Sequence, residues 1–273
     1  MQKEMISVVT VTWNAESFIK DTIVSVCAQK NKNFEFLLID GGSKDNTVEK
    51  VKSLLKEGGF PEEKTVIVSE RDKGMVDAMN KGVKRCKGDY VLFLNGGDSF
   101  YDENVIDELE DTISKVDADV YYGRTMMIFY EGKGIYNENE EQGDPIMPFI
   151  HQSVIVKTEL LLKHPFDLSY KILGDRELFY WLRVNNYKFH YEPYIVSTYD
   201  AREGGSENNP YLIAVEGDRI LGLDKKPGYW MRKLRWKLTK APIQFIKNHA
   251  PRKLLNWYFL KKRKNIIWVE KYI

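Results

Sequence analysis

The 273-residue chain has only two cysteines and four histidines. Cys27 and Cys86 lie in separate stretches of helical patterning, and neither has a CxxC neighbour. A thiolate zinc site and a disulfide framework are therefore not expected. Both read as small core residues in a reducing compartment. There is no run of about 18 apolar residues, so no obvious membrane span is expected. The opening "MQKEMISVVTVTWN" is charged and then strand-like, unlike a secretory leader. No GxGxxG follows the first apolar run and no GxxxxGK[ST] occurs, which leaves dinucleotide and P-loop folds unsupported. A GxSxG elbow is also missing, which argues against a hydrolase triad. Neither internal repeats nor low-complexity segments occur.

Charge of one sign is scarce in each part of the chain. From Gly228 onward there are thirteen of the 41 Lys/Arg but one of the 40 Asp/Glu, Glu270. The preceding body holds 28 basic against 39 acidic residues, a net of about −11. An acidic body and a basic tail are expected to do different work. With 43% apolar and 30% charged residues, the body has enough apolar material for a sizeable soluble core.

That body alternates between two periods. "ISVVTVTWN", "FEFLLID", "KTVIVSE" and "DYVLFLN" are β-branched or apolar runs that read as buried strands. Between them, Phe18, Ile19, Ile23, Val26 and Cys27 recur at helical spacing. "DNTVEKVKSLLKE" reads as a helix opened by Asp45 or Asn46. "MVDAMNKGVKRC" and "ENVIDELEDTISKV" continue the pattern. Such alternation predicts an α/β fold with a mixed, mostly parallel sheet flanked by helices. Parallel crossovers put the C-terminal ends of the strands on one edge, where ligands collect. Further on, "ADVYYGRTMMIFYEGKGIY" predicts strands joined at "EGKG". "ENEEQGDP" is an acidic loop, "HQSVIVK" a short strand and "DRELFYWLRV" a helix. "KFHYEPYIVSTYD" is strand-like with a break at Pro193, and "YLIAVEGDRILGL" is a further helix.

The segments after the first four strands are "TWNAES", "DGGSKDNT", "SERDKGMVDAMNKG" and "NGGDS". Helix capping and turn chemistry account for any one of them. Four polar ends on one edge point instead to a ligand. A carboxylate such as Asp40 accepts an N–H from a nucleotide base, with Gly41 and Gly42 letting a flat ring approach. A diphosphate beside acids needs a divalent cation between them, and Mg²⁺ or Mn²⁺ takes such oxygen ligands. Asp98 is the candidate carboxylate.

Taken in order, "VVTVTWNAE", "LLIDGGSKDNT", "SERDKGMVDAMNKGVKRCKGDYVLFLNGGD" and "GDRELFYWLRV" resemble family 2 glycosyltransferases of the GT-A fold, over about residues 5–200. The similarity is greatest to transferases of bacterial capsule, exopolysaccharide or lipopolysaccharide assembly. It implies an inverting transfer from a nucleotide-sugar donor, with a UDP-sugar favoured, to a glycan or lipid-linked glycan acceptor, with Mn²⁺ or Mg²⁺. By position it implies donor contacts from Thr12, Asn14, Asp40, Arg71, Asp72, Asp77, Asn80 and Asn95. It also implies a metal contact from Asp98 and a catalytic base at Asp175. Glu177, His151 and Arg202 are further candidates. The family often carries an acid where Gly97 stands here. Alternatives are a nucleotidyltransferase on a related fold and a binding protein that kept the fold without catalysis.

Residues 1–223 are expected to form the catalytic domain and 224–273 a basic amphipathic helical tail. Its Trp230, Met231, Leu234, Trp236 and Leu238 alternate with Lys and Arg, a pattern suited to an anionic membrane surface. The plain alternative is a helix packed on the protein's own acidic body. No nucleic-acid motif accompanies the charge. The expected location is cytoplasmic and peripheral, at the inner face of the plasma membrane.

Overall fold

The computed structural model describes residues 4–136, 146–202, 209–240, 250–263 and 266–272. The first half is built as the periodicity requires. β1 (Ile6–Thr12), β2 (Phe34–Asp40), β3 (Thr65–Ser69) and β4 (Tyr90–Phe93) alternate with α1 (Ile19–Ala28), α2 (Thr47–Glu57) and α3 (Met75–Val83). They pair in parallel in the order β4-β1-β2-β3. β5 (Ser99–Phe100) and α4 (Val105–Lys115) follow.

Successive side chains of β1 serve two cores. Ile6 and Val8 face α1, α2 and α4 through Ile23, Val51 and Ile106, whereas Val9 and Val11 face α3 through Met79 and Val83. A strand covered on both faces reads as a continuous apolar run, which is why β1 and β2 stand out in the sequence. Gly82 lets α3 sit close on β1, because a Cβ there would lie 2.6 Å from Val9 Cγ1.

The second half extends the sheet through antiparallel pairs. β6 (Val120–Phe129), β7 (Gly132–Tyr136) and β8 (Val154–Lys157) give the order β7-β6-β8-β4. α5 (Thr158–Lys163) and α6 (Gly174–Val184) cover the α3 face through Leu160, Leu161, Leu178 and Leu182. β9 (Phe189–Asp200) lies parallel to β6 and antiparallel to β5. The expected break at Pro193 is a bulge within one continuous strand. Tyr122 pairs with Tyr191 but Arg124 with Ile195, so extra residues are accommodated opposite Gly123. A Cβ at Gly123 would meet Tyr194 O at 2.8 Å. Cys27 lies in α1, while Cys86 falls just beyond the end of α3.

The tail departs from the expectation at its end. α7 (Pro210–Ile220), α8 (Tyr229–Thr239) and α9 (Arg252–Lys262) are helices, but β10 (Ile266–Lys271) is a strand paired antiparallel with β7. The β-branched run in "NIIWVE" decides this locally. Trp268 packs on Phe129, and Arg263 makes a 2.9 Å ion pair with the buried Glu131. The last residues are thus part of the sheet rather than of a helical extension. The acidic segment 137–145 and the glycine-rich 203–208 lie outside the described residues.

Candidate active site

The C-terminal ends of β1 and β4 meet in a polar cluster. After β4 the chain turns through Asn95, Gly96 and Gly97, and the Asp98 N–H donates to Asn95 O. Gly97 has φ +102, a backbone that L side chains rarely adopt. The local backbone therefore disfavours a second acid at that position. The Gly97 N–H is held by Thr22 Oγ1 of α1 at 2.9 Å. Gly96 leaves room beside Thr12, whose hydroxyl would lie 3.2 Å from a Cβ there.

Asp98 is 5% exposed. Burial raises its pKa from 3.8 to about 7, against the hydrogen bond from Gln152 and the nearby His151. The Asp200 charge pushes it further up. Gln152 Nε2 donates to Asp98 Oδ2 at 2.9 Å. Gln152 sits with His151 and Ser153 in a 3₁₀ turn before β8. That turn is fixed from below, since Ser153 Oγ bonds to Thr125 and Ser197, both fully buried, at 2.7 Å each.

His151 connects the cluster to α6. Its Nε2 lies 2.9 Å from Asn95 Nδ2 and its Nδ1 3.4 Å from Asp175 Oδ2. With the Asn95 amide N–H₂ donating, Nε2 accepts, and Nδ1 is the ring nitrogen nearest the carboxylate. Asp175 sits in the first turn of α6 rather than at its N-cap, which is Leu173. Three buried oxygens here lack hydrogen-bond partners: Thr12 Oγ1, Asn95 Oδ1 and Gln152 Oε1. Unpaired buried polar atoms are costly and call for a ligand or ion. They and the Asp98 carboxylate are oxygen donors, the ligand type that Mg²⁺ and Mn²⁺ take. No group of three or more His, Cys, Asp or Glu suited to a metal occurs among the described residues. The site has one buried carboxylate and would rely on ligand oxygens for the rest.

Several expected donor contacts are used otherwise. Asp40 is fully buried, and its carboxylate accepts from Gly42 N, Ser43 N, Ser43 Oγ and Ser69 Oγ. It shapes the loop after β2. The space at Gly41 is taken by Asp72, whose Oδ2 lies 2.5 Å from where a Cβ would be. Asp72 in turn accepts from Gly74 N. Asn14, at φ +49, bonds to Ser43 and Lys44 and closes the same loop. Arg71 is exposed on the β3–α3 connection. Asp77 caps α3 by accepting from Lys73 N. The Asn80 amide pairs reciprocally with the Phe166 backbone at 2.8 and 3.0 Å. Glu177 turns away to His164, which stacks on Trp181. Arg202 forms a bidentate pair with Asp200 at the end of β9.

Two residues at the cluster are absent from the sequence reading. Gln152 stands beside the noted His151. Asp200 approaches through the β5–β9 pairing of Ser99 with Thr198. Only the second of these depends on a pairing that is not local in sequence.

The model of the family "Glycosyl transferase family 2" matches residues 7–179. The chain belongs to glycosyl transferase family 2. It is 27% identical over 175 residues to TuaG of Bacillus subtilis, which is named for teichuronic acid biosynthesis, covering 64% of each chain. It is 26% identical over 186 residues to a PGL/p-HBAD biosynthesis glycosyltransferase of Mycobacterium tuberculosis, covering 64% of this chain and 68% of that one. The chain thus spans a little under two thirds of TuaG. Among solved structures, S. aureus TarS 1–349 in complex with UDP superposes with a TM-score of 0.59 at 17% identity, over 93% of this chain and 78% of that one. The mannosyltransferase PcManGT of Pyrobaculum calidifontis, in complex with GDP-Man and Mn²⁺, gives 0.62 at 13% identity, over 97% and 82%. These likenesses establish a GT-A-type fold for the chain.

Proposed function

We propose that the protein is an inverting glycosyltransferase that moves a sugar from a UDP-sugar to a hydroxyl of a glycan or lipid-linked glycan in surface polysaccharide synthesis. The observation that carries this is the linked set Asp98–Gln152 and Asn95–His151–Asp175 at the C-terminal edge of the parallel strands. Names of relatives and bound nucleotides of neighbours lend support, since TarS was crystallised with UDP and UDP-GlcNAc.

Asp98 would hold a divalent cation together with the free oxygens of Thr12, Asn95 and Gln152. Such a cation, when bound, offsets the charge of a leaving diphosphate. Asp175 is the base that takes the acceptor hydroxyl proton as that oxygen attacks the anomeric carbon. His151 Nδ1, 3.4 Å from Asp175 Oδ2, would help keep that carboxylate towards the cluster. In this reading Asp98 and Asp175 would serve opposite faces of the reacting carbon, as a single displacement with inversion requires.

The tail would bring the enzyme to a lipid-linked acceptor on an anionic membrane. α8 docks on α7 by packing Trp236 at a tilt against Tyr211 and by pairing Arg232 with Asp218 at 2.7 Å. Its outer face leaves Trp230 and Leu238 66% and 69% exposed, beside Met231 and Leu234. An apolar stripe among Lys and Arg suits a headgroup region. No helix among the described residues is long and apolar enough to cross a membrane.

Donor turnover tests the reading. With Mn²⁺ and a panel of nucleotide sugars, the wild type should release nucleoside diphosphate when an acceptor is supplied. Asp175→Asn should bind donor equally and transfer at least about 100-fold more slowly. Near-normal transfer by Asp175→Asn would remove the base assignment.

A further inference from the structure

The lead-in to α6 lacks a cap of its own. Its N-cap, Leu173, makes no side-chain capping bond. The segment is held instead from α7. The Glu216 carboxylate accepts the backbone N–H groups of Lys171, Ile172 and Leu173 at 2.7, 3.1 and 2.8 Å. Glu216 itself is 5% exposed. One turn on, Arg219 grips the same loop. Its guanidinium lies 4.4 Å from the centre of the Tyr170 ring and donates to Ser169 Oγ at 2.7 Å. Two residues past Leu173 comes Asp175, the partner of His151.

A buried carboxylate that accepts three N–H groups is among the strong hydrogen-bonded arrangements, because each bond is charge-assisted. It fixes three consecutive peptide planes, and these set where the first turn of α6 begins. The only carboxylate of that turn directed at the cluster is Asp175, since Glu177 is bound to His164. A base must lie within hydrogen-bond reach of the proton it takes, and a displacement of about 1 Å costs on the order of 100-fold.

We propose that Glu216 is a positioning residue that sets the Asp175 carboxylate against the acceptor hydroxyl, with Arg219 as its aid. This rests on the reading of Asp175 as base. Glu216 touches no substrate and acts through the 171–173 backbone. The amide in Glu216→Gln keeps the size but turns an N–H₂ towards backbone donors, so at least one of the three bonds is lost. The charge that strengthens the others goes with it.

The experiment measures steady-state transfer, and binding of UDP with Mn²⁺, for Glu216→Gln, Glu216→Asp, Arg219→Gln, Asp175→Asn and the double variant Glu216→Gln/Asp175→Asn. Glu216→Gln should lower kcat about 10- to 100-fold with the donor KM and the UDP affinity within about twofold of wild type. Glu216→Asp, which keeps the charge, should recover part of that loss. In the double variant the Glu216 change should cost nothing beyond Asp175→Asn, because the two act as one unit. If Glu216→Gln does not fold, Arg219→Gln, on a partly exposed side chain, should show the same kcat-selective loss to a lesser degree. Unchanged kcat in folded Glu216→Gln, or in Arg219→Gln where the former fails to fold, would overturn the proposal. Additive losses in the double variant would also overturn it. Should Asp175→Asn itself transfer normally, the base reading fails first, and the kcat loss of Glu216→Gln would then belong to another group on α6.

Discussion

Asp98→Asn is a perturbation whose size follows from the structure. The carboxyl is buried, and its pKa in the folded chain rises from 3.8 to about 7. A group whose folded pKa is raised binds its proton more tightly in the native state, so stability is lost as pH rises from near 4 to near 7. At roughly 1.36 kcal/mol per pH unit, a rise of about three units sets a ceiling near 4 kcal/mol on the cost of the charged form at pH 8. The Asn variant carries no such cost. Its amide oxygen can keep the bond from Gln152 Nε2, and its N–H₂ meets the unpartnered Gln152 Oε1. In EDTA, the Tm difference between variant and wild type should be smallest near pH 4, already evident at pH 5, and grow to several degrees in favour of the variant by pH 8. Thermal melts at half-unit pH steps measure this. Parallel curves, or a variant less stable than wild type at pH 8, would refute the argument from burial.

His151→Gln should lower kcat about tenfold or more and UDP affinity by less, because the contact to Asp175 is lost along with the one to Asn95; equal losses in both would assign His151 to donor binding. Gly97→Asp should lower Tm and fail to tighten Mn²⁺ binding, since φ +102 is strained by about 1 kcal/mol or more for an L side chain; tighter Mn²⁺ in calorimetry would show that the strand end can re-form. Trp230→Glu together with Leu238→Glu should leave transfer to a soluble acceptor unchanged and reduce sedimentation with phosphatidylserine-containing liposomes. Undiminished sedimentation would remove α8 from the membrane reading. Asn80→Ala should destabilise by about 1–3 kcal/mol, because both Phe166 backbone groups lose their partner; chemical denaturation reads this directly.

The alternation of strands and helices through residue 116 is legible because parallel strands covered on both faces must be apolar throughout, as β1 and β2 are. Strand ends are legible too, and with them Asn95, Asp98 and His151. Which way a helical side chain turns is not. Asp77 and Asn80 lie near the right edge, yet one caps its own helix and the other binds the Phe166 backbone. Asp40 shows a different ambiguity. An Asp after a strand serves a ligand or the next loop equally well, and here two backbone N–H groups and two hydroxyls take it. Asp200 and Glu216 depend on pairings across the sheet and between helices, which a linear reading does not supply. β10 was hidden by composition, as its β-branched run sits among lysines that suggested a helix.

The claim at the centre is that a nucleoside diphosphate binds at the strand ends through a cation on Asp98. Calorimetric titration of UDP into the protein tests it directly, with Mn²⁺ and again with EDTA. The account predicts binding that is at least about tenfold tighter with Mn²⁺ in the wild type, and no such gain in Asp98→Asn. Equal affinity in Mn²⁺ and EDTA, or a full Mn²⁺ gain in Asp98→Asn, would contradict it.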